Sequence, residues 1–426
     1  MKENKLFTPY QLGPITLRNR FIRSAAFENM CTGNVPSQML HDYHVSVAHG
    51  GVGMTTVAYC AVEQSGCSFD GQLVVAEATK PSLKHLTDAV HAEGAKVSIQ
   101  LGHCGNMTHY KTCHCLPVSA SAGLNLYSPT LHRALKVDEI KRIVRKFGEA
   151  VDFARECGFD CVEIHCGHAY LISQFLSPRT NRRRDQYGGS FENRCRFMNE
   201  VLDAVMQHAG DDMAVVVKTN MWDDCFRGVD FEEGIRICKE IEKHHVHGII
   251  LSGGTVSASP MTILGGAMPI KTLAHYMPMK TMWWLKAALL CGGGAMLIPT
   301  VPFKELYFME QAKRFQKEIK DTTLIYVGGV QSGTNCQTIM DEGFELFQLA
   351  HVLIKDPNFV NHVKENIGYH AQCGRSNYCV GRMYTIDMKC HHCALRDGEQ
   401  IPDKLLKEID KLERKAEKSL EEGTKK

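Results

Sequence analysis

Eight short apolar runs, set along most of the chain and separated by amphipathic stretches, constrain this sequence more than any other feature. They are Phe21–Ala26, Gly53–Tyr59, Lys96–Leu101, Cys161–His165, Ala214–Thr219, Gly248–Ser252, Leu324–Val327 and Leu346–Ala350. Between most of them lie patterns of helical period such as Asp138–Cys157, Asn193–Ala209 and Phe231–His244. Strand and helix in steady alternation build a parallel sheet, and eight such units close a (β/α)8 TIM barrel. A doubly wound open sheet is the other arrangement for such a pattern, but no Gly-x-Gly-x-x-Gly follows the first run. The predicted fold class is an α/β TIM barrel.

Three regions break the regularity. An insertion over about residues 258–302 is rich in methionine and holds the adjacent Trp283 and Trp284. A cysteine-bearing segment follows, Cys373 to Cys393, and from Pro402 a charged helix sets Leu405, Ile409, Leu412 and Leu420 on one stripe. The expected organisation is a barrel over residues 1–365 and a C-terminal Cys-rich segment with a helical tail over 366–426. The insertion reads as a cap over a bulky hydrophobic substrate, as a contact in a homo-oligomer, or as a helical insert packed on the barrel.

Charge and cysteine usage narrow the class. With 49 Lys and Arg against 47 Asp and Glu, no basic stripe points to nucleic acid. No apolar run approaches the roughly 18 residues of a membrane span, and Met1 to Thr8 lack the core of a secretion signal. Eighteen cysteines in such a chain read as reduced thiols and metal ligands rather than disulfides. The expectation is a cytoplasmic protein acting on a small molecule.

TIM barrels keep their chemistry at the carboxyl ends of the strands. The fourth run ends at His165, and His168 and Tyr170 follow at once. Two imidazoles can hold a carbonyl or phenolate oxygen, and a phenol can give or take a proton; satisfied core histidines are the alternative. Ser24-Ala25-Ala26-Phe27 closes the first run with small residues that let a flat ligand approach the backbone. Gln100 presents an amide at the end of the third run, and is equally a buried hydrogen-bonding partner. Lys218 carries a cation inside the barrel. It reads as an anion stabiliser, as the Schiff-base amine of a lyase, or as half of an ion pair. Gly328-Gly329 and Ala350-His351 stand where such barrels commonly bind phosphate, although Gly-Gly alone is a turn signal. Together these residues suit a planar cofactor that bears a phosphate.

Asn19-Arg20-Phe21-Ile22-Arg23-Ser24-Ala25, Val97-Ser98-Ile99-Gln100-Leu101-Gly102-His103 and the stretch from Gly158 to Phe197 carry a family resemblance. The last includes Ser177-Pro178, Asn181-Arg182-Arg183, Tyr187-Gly188-Gly189-Ser190 and Glu192-Asn193-Arg194. The sequence resembles the Old Yellow Enzyme family of FMN-dependent ene reductases, the NADH:flavin oxidoreductases, over most of residues 5–365. The resemblance implies FMN on the barrel mouth, with Ser24, Ala25, Ala26, Phe27 and Tyr59 lining it. Gln100 would meet the pyrimidine edge, and Lys218 would sit near N1 and O2, where many relatives have arginine. Gly328, Gly329, Ala350 and His351 would lie at the phosphate end. His165 and His168 would hold a substrate carbonyl, and Tyr170 would protonate the α-carbon after hydride reaches the β-carbon. NADH or NADPH would reduce the flavin first. Desaturation or demethylation on the same fold is the alternative reaction. Arg182, Arg183 and Arg194 read as loop-bracing cations.

This chain departs from the family pattern at several places. Phe27 stands where relatives often have threonine or cysteine, and His351 replaces an arginine near the phosphate, which would weaken FMN binding or make it pH-sensitive. The dinucleotide-binding domains of longer relatives are not found, so no relay through a second flavin is expected. Cys373, Cys379, Cys390 and Cys393 read as ligands of zinc or an iron–sulfur cluster, with His391 and His392 as additional donors, or as unliganded thiols. Ser376 breaks the expected C-x-x-C pair. A metal- or thiol-based redox sensor on a degenerate barrel is the non-enzymatic reading. His103, Cys104, His109, Cys113, His114 and Cys115 are expected at the pocket rim.

Overall fold

The computed structural model describes residues 4–125, 130–277, 298–383 and 386–424. Its centre is a closed barrel of eight parallel strands. In chain order these are β1 (Phe21–Arg23), β2 (Met54–Ala61), β3 (Lys96–Gly102), β4 (Cys161–His165), β5 (Ala214–Asn220), β6 (Gly248–Ser252), β7 (Thr323–Val327) and β8 (Leu346–Leu349). One helix follows each: α1 (Gln38–His49), α2 (Lys80–Ala92), α3 (Val137–Glu156), α4 (Phe191–Ala209), α5 (Phe231–Glu242), α6 (Met309–Glu318), α7 (Gly333–Asp341) and α8 (Phe359–Glu365). The barrel closes where β8 pairs with β1, Phe347 opposite Phe21 and Leu349 opposite Arg23.

The strands are near-continuous apolar runs because both faces are covered. β4, β5 and β6 are buried at every position, as a parallel sheet wrapped by helices requires. The helices bury one stripe only. On α3, Ile140, Ile143, Phe147, Ala150, Val151 and Ala154 recur at three- and four-residue spacing against the barrel. Local capping fixes where helices start: Ser190 accepts from the Asn193 amide, Asp230 from Glu233 and Ser332 from Asn335. The amino-terminal hairpin of Tyr10–Leu12 and Ile15–Leu17 plugs the far end. Its Leu12, Ile15 and Leu17 pack on Ile22, Met54, Val216, Ile250 and Ile325 inside the strand ring.

Strand one is shorter than the expected Phe21–Ala26. One ladder bond continues from the Ser24 amide to the Leu349 carbonyl (2.8 Å), and then the chain peels away. The buried Arg23 guanidinium turns it, donating to the Thr56 and Ala26 carbonyls and pairing with Glu28 at 2.5 Å. The described part of the insertion holds two short helices, Pro260–Leu264 and Ile270–Tyr276; Trp283 and Trp284 lie outside the described residues. Beyond the barrel come α9 (Tyr378–Arg382), α10 (His391–Arg396) and the tail helix α11 (Asp403–Thr424). No described helix is long and apolar enough to cross a membrane.

Candidate active site

A cleft of about 240 Å³ opens at the carboxyl ends of the strands. The residues expected to meet cofactor or substrate line it: Ser24, Ala25, Ala26, Phe27, Tyr59, Gln100, His165, His168, Tyr170, Lys218, Gly328, Gly329, Ala350 and His351. The C-terminal segment lines it too, through Arg375, Val380, Met383 and Met388.

The floor is a polar network around Glu163, which is fully buried in the middle of β4. A buried carboxylate is tolerated only when paired and hydrogen-bonded. Here Lys218 Nζ lies 2.7 Å from Oε1, Gln100 Nε2 donates to Oε1 (2.7 Å) and Gln348 Nε2 donates to Oε2 (2.8 Å). Because a carboxylate only accepts, both amides must turn their nitrogens toward it. The remaining directions follow. Gln348 Oε1 accepts from Ser24 Oγ (2.9 Å), and Ser24 Oγ accepts from Lys218 Nζ (3.3 Å). Five strands are thereby tied together, and Lys218 is held as half of an ion pair. Burial presses the Lys218 pKa below its usual value, with Glu163 acting against that shift.

Above this floor the chain after β4 makes an unusual turn. His168 and Ala169 adopt left-handed backbone conformations, with φ of 58° and 66°, which non-glycine residues hold only when their surroundings fix them. Those surroundings are present. The His168 amide donates to Asn220 Oδ1 (3.1 Å), the Ala169 amide to Ser173 Oγ (3.2 Å), and Gln174 Nε2 to the Ala169 carbonyl (2.7 Å). Gly167 is required beside them, since a Cβ there would stand 2.6 Å from Asn220 Oδ1. The turn brings Tyr170 back over the barrel, its ring 4.6 Å from His165 and stacked at 5.2 Å on Tyr59.

Both imidazoles are neutral at ordinary pH. Burial, then His168 and Lys218, push His165 well below its usual pKa, and burial with Lys218 lowers His168 to about 3. His165 Nδ1 accepts from the Gly167 amide (3.4 Å). Its single proton therefore sits on Nε2, making that atom a donor. His168 Nε2 meets the Ser252 hydroxyl at 2.8 Å; in the tautomer whose Nε2 accepts from that hydroxyl, Nδ1–H is the donor left for a ligand.

The opposite end is cationic. Arg375 is buried, its guanidinium 4.1 Å from the Phe303 ring centroid, and its Nε has no hydrogen-bond partner. His351 Nε2 is likewise buried and unpartnered. Burial, with Arg375 next, lowers the His351 pKa to about 3. The permanent charge at this end is the Arg375 guanidinium. Gly328 and Gly329 adopt positive φ, and a Cβ on Gly329 would stand 2.6 Å from the Leu306 nitrogen.

Sequence reading missed Glu163, Gln348 and Arg375. The first two had a signal, a lone polar residue inside an apolar run; Arg375, in an irregular segment, had none. Phe27 stacks on Phe69 at 4.9 Å and forms an apolar wall. Arg182, Arg183 and Arg194 brace loops by donating to the carbonyls of Ala122, Ala120 and Leu176. Cys113, His114 and Cys115 line a second cleft with Glu63 and Arg142, and the main cleft takes Met107 from that stretch instead. Every described cysteine is a free thiol. Cys379, Cys390 and Cys393 share an apolar cluster. Among the described residues, the one group of three or more potential metal ligands within 4.8 Å of one another is His391, His392 and Glu413; the four sulfurs form no such group.

A barrel mouth that joins a buried lysine, directed amides and a cationic end is the kind of site a TIM-barrel enzyme offers a phosphate-bearing cofactor. Residues 5–259 match the family model of the NADH:flavin oxidoreductase / NADH oxidase family, and the chain belongs to that family. It is 34% identical to 4,4'-dithiodibutanoate disulfide reductase of Rhodococcus erythropolis over 394 residues, 92% of this chain and 95% of that protein. It is 35% identical to an NADPH dehydrogenase of Listeria welshimeri, over 62% of this chain and 78% of the relative. A solved 2-naphthoyl-CoA reductase complex shares the fold with a TM-score of 0.74 at 23% identity, covering 95% of this chain and 58% of that one. The chain is thus a flavin-dependent oxidoreductase that uses FMN and NAD(P)H. The cleft fits FMN on its own chemistry: an unpartnered donor at Arg375 Nε and an unpartnered ring nitrogen at His351 Nε2 for a phosphate, small residues for a flat ring, and a directed amide with an ammonium for its polar edge.

Proposed function

We propose that this enzyme reduces an activated carbon–carbon double bond conjugated to a carbonyl group. His165, His168 and Tyr170 carry the reading, because they place neutral donors and a phenol around one opening above Lys218. When bound, FMN supplies the hydride it takes from NAD(P)H. His165 Nε2–H and the free nitrogen of His168 hold the substrate carbonyl oxygen and draw charge from the double bond. Hydride addition at the β-carbon leaves negative charge on that oxygen, where the two donors stabilise it. Tyr170 then gives its proton to the α-carbon. Lys218 places positive charge at the cofactor's polar edge, and Glu163 keeps the ammonium in position. Gln100, its nitrogen committed to Glu163, offers an acceptor oxygen to a ring N–H. Arg375 with Gly328-Gly329, Ala350 and His351 would hold the phosphate. The apolar wall of Phe27, Phe69 and Met388 suits a bulky hydrophobic acceptor.

Separating the half-reactions tests this. Tyr170→Phe should leave flavin reduction by NADH or NADPH unchanged and slow enone turnover by roughly a hundredfold or more, the range for a lost general acid. Unchanged enone turnover would remove Tyr170 as proton donor. The same variant should be run with 4,4'-dithiodibutanoate, the substrate named for the Rhodococcus relative. Cleaving a disulfide needs no proton on carbon, so turnover that favours this acceptor and ignores Tyr170→Phe would replace the ene-reductase reading.

A further inference from the structure

The C-terminal segment holds a second group of chemically capable side chains away from the cleft. We propose that His391, His392 and Glu413 bind one divalent transition-metal cation of the zinc type, which pins α11 to the segment that delivers Arg375.

Ligand atoms of the three residues lie within 4.8 Å of one another. His391 Nε2 stands 3.5 Å from Glu413 Oε1, and that carboxylate oxygen is buried with no hydrogen-bond partner. A buried acceptor left open in this way is the deficit a cation removes. The two imidazoles face each other with ring centroids 3.9 Å apart. His392 is exposed, which gives the ion a route in and leaves room for water as a further ligand. Bonds of about 2.0–2.1 Å to nitrogen and oxygen draw donors closer than they now stand.

The charges around the site favour a cation on balance. Lys355 opposes it from the end of the short helix His351–Lys355 that follows β8, while Asp410 and Glu417 on α11 add negative charge beside Glu413. The site also bears on its neighbours. A Cβ on Gly374 would stand 2.4 Å from Glu413 Oε1, so the backbone next to Arg375 rests directly on this carboxylate. The nearby thiols are turned elsewhere: Cys393 Sγ donates to the Lys355 carbonyl at 3.4 Å.

Chelator-treated, flavin-loaded protein titrated with Zn²⁺ and with Co²⁺ decides the matter. One equivalent is expected, with cobalt d–d absorption and no sulfur-to-metal charge-transfer band. His392→Ala, which alters an exposed side chain, and Glu413→Gln should each weaken Zn²⁺ binding at least about tenfold, while Cys390→Ser keeps it within about twofold. A charge-transfer band that vanishes in Cys390→Ser would assign the ion to the thiols and overturn the proposal. Binding that neither His392→Ala nor Glu413→Gln weakens would overturn it as well, as would failure to bind either metal.

Discussion

Glu163 decides what Lys218 can do. Its carboxylate accepts from Lys218, Gln100 and Gln348 at once, which fixes the ammonium as a charge and makes it a poor candidate for a Schiff-base nucleophile. Replacing Glu163 by leucine leaves that ammonium buried without a counter-charge, a change that typically costs about 3–5 kcal/mol. Urea unfolding of the flavin-free Glu163→Leu protein should show a loss of that size; a loss under about 1 kcal/mol would mean the network is not what holds the floor together. At this scale the sequence was informative where polar residues end an apolar run, as His165, Gln100 and Lys218 do. Where they interrupt one, the signal was present but its meaning was not. Glu163 and Gln348 sit inside runs whose apolar neighbours set the reading, and their pairing spans strands far apart in sequence.

Strand and helix positions were legible because burial on both faces of a parallel sheet leaves long apolar runs, and helices on the outside leave one-sided stripes. What ends each element was less so. β1 stops at Arg23 because a buried guanidinium takes the Ala26 carbonyl, a contact that no pattern of hydrophobicity encodes. The tail helix is similar. Its stripe was readable, yet its partner was not: Leu405 and Ile409 are buried with Tyr378 and Ala394 of the C-terminal segment. Glu408 on α11 also accepts from the Lys271 and Thr272 amides (2.7 and 2.8 Å), capping Ile270–Tyr276 from more than a hundred residues away. Glu408→Ala should therefore cost about 0.5–2 kcal/mol, the range for a lost cap. Chemical denaturation reads this directly, and an unchanged midpoint would show that the two helices do not support each other.

For the whole molecule, the division into a barrel and a C-terminal segment crosses the site. Arg375, Val380 and Met388 line the same cleft as Gln100 and Lys218, so the mouth is finished by chain that follows the last barrel helix. Arg375→Ala should reduce FMN affinity by about 1.5–3 kcal/mol, roughly ten- to a hundredfold, the worth of a hydrogen bond to a charged group. Fluorescence titration of flavin into the flavin-free variant measures it, and wild-type affinity would place the phosphate elsewhere. The family resemblance pointed to an arginine at this end and found histidine at 351. The structure supplies the guanidinium from a different part of the chain, which a strand-by-strand reading had no means to foresee.

The seam where β8 meets β1 has a consequence for how the protein is made. Ser24 and Gln348, hydrogen-bonded across it, are 324 residues apart. At about 5–20 residues per second on the ribosome, the first strand waits roughly 16–65 s for its second neighbour to emerge. Through that interval β1 can be joined on one side by β2, while its other edge has no native partner to take. An incomplete barrel of this kind exposes an unpaired edge that is prone to aggregation. The final closure is a slow, long-range step that belongs to the end of synthesis, and the polar network around Glu163 can assemble only then.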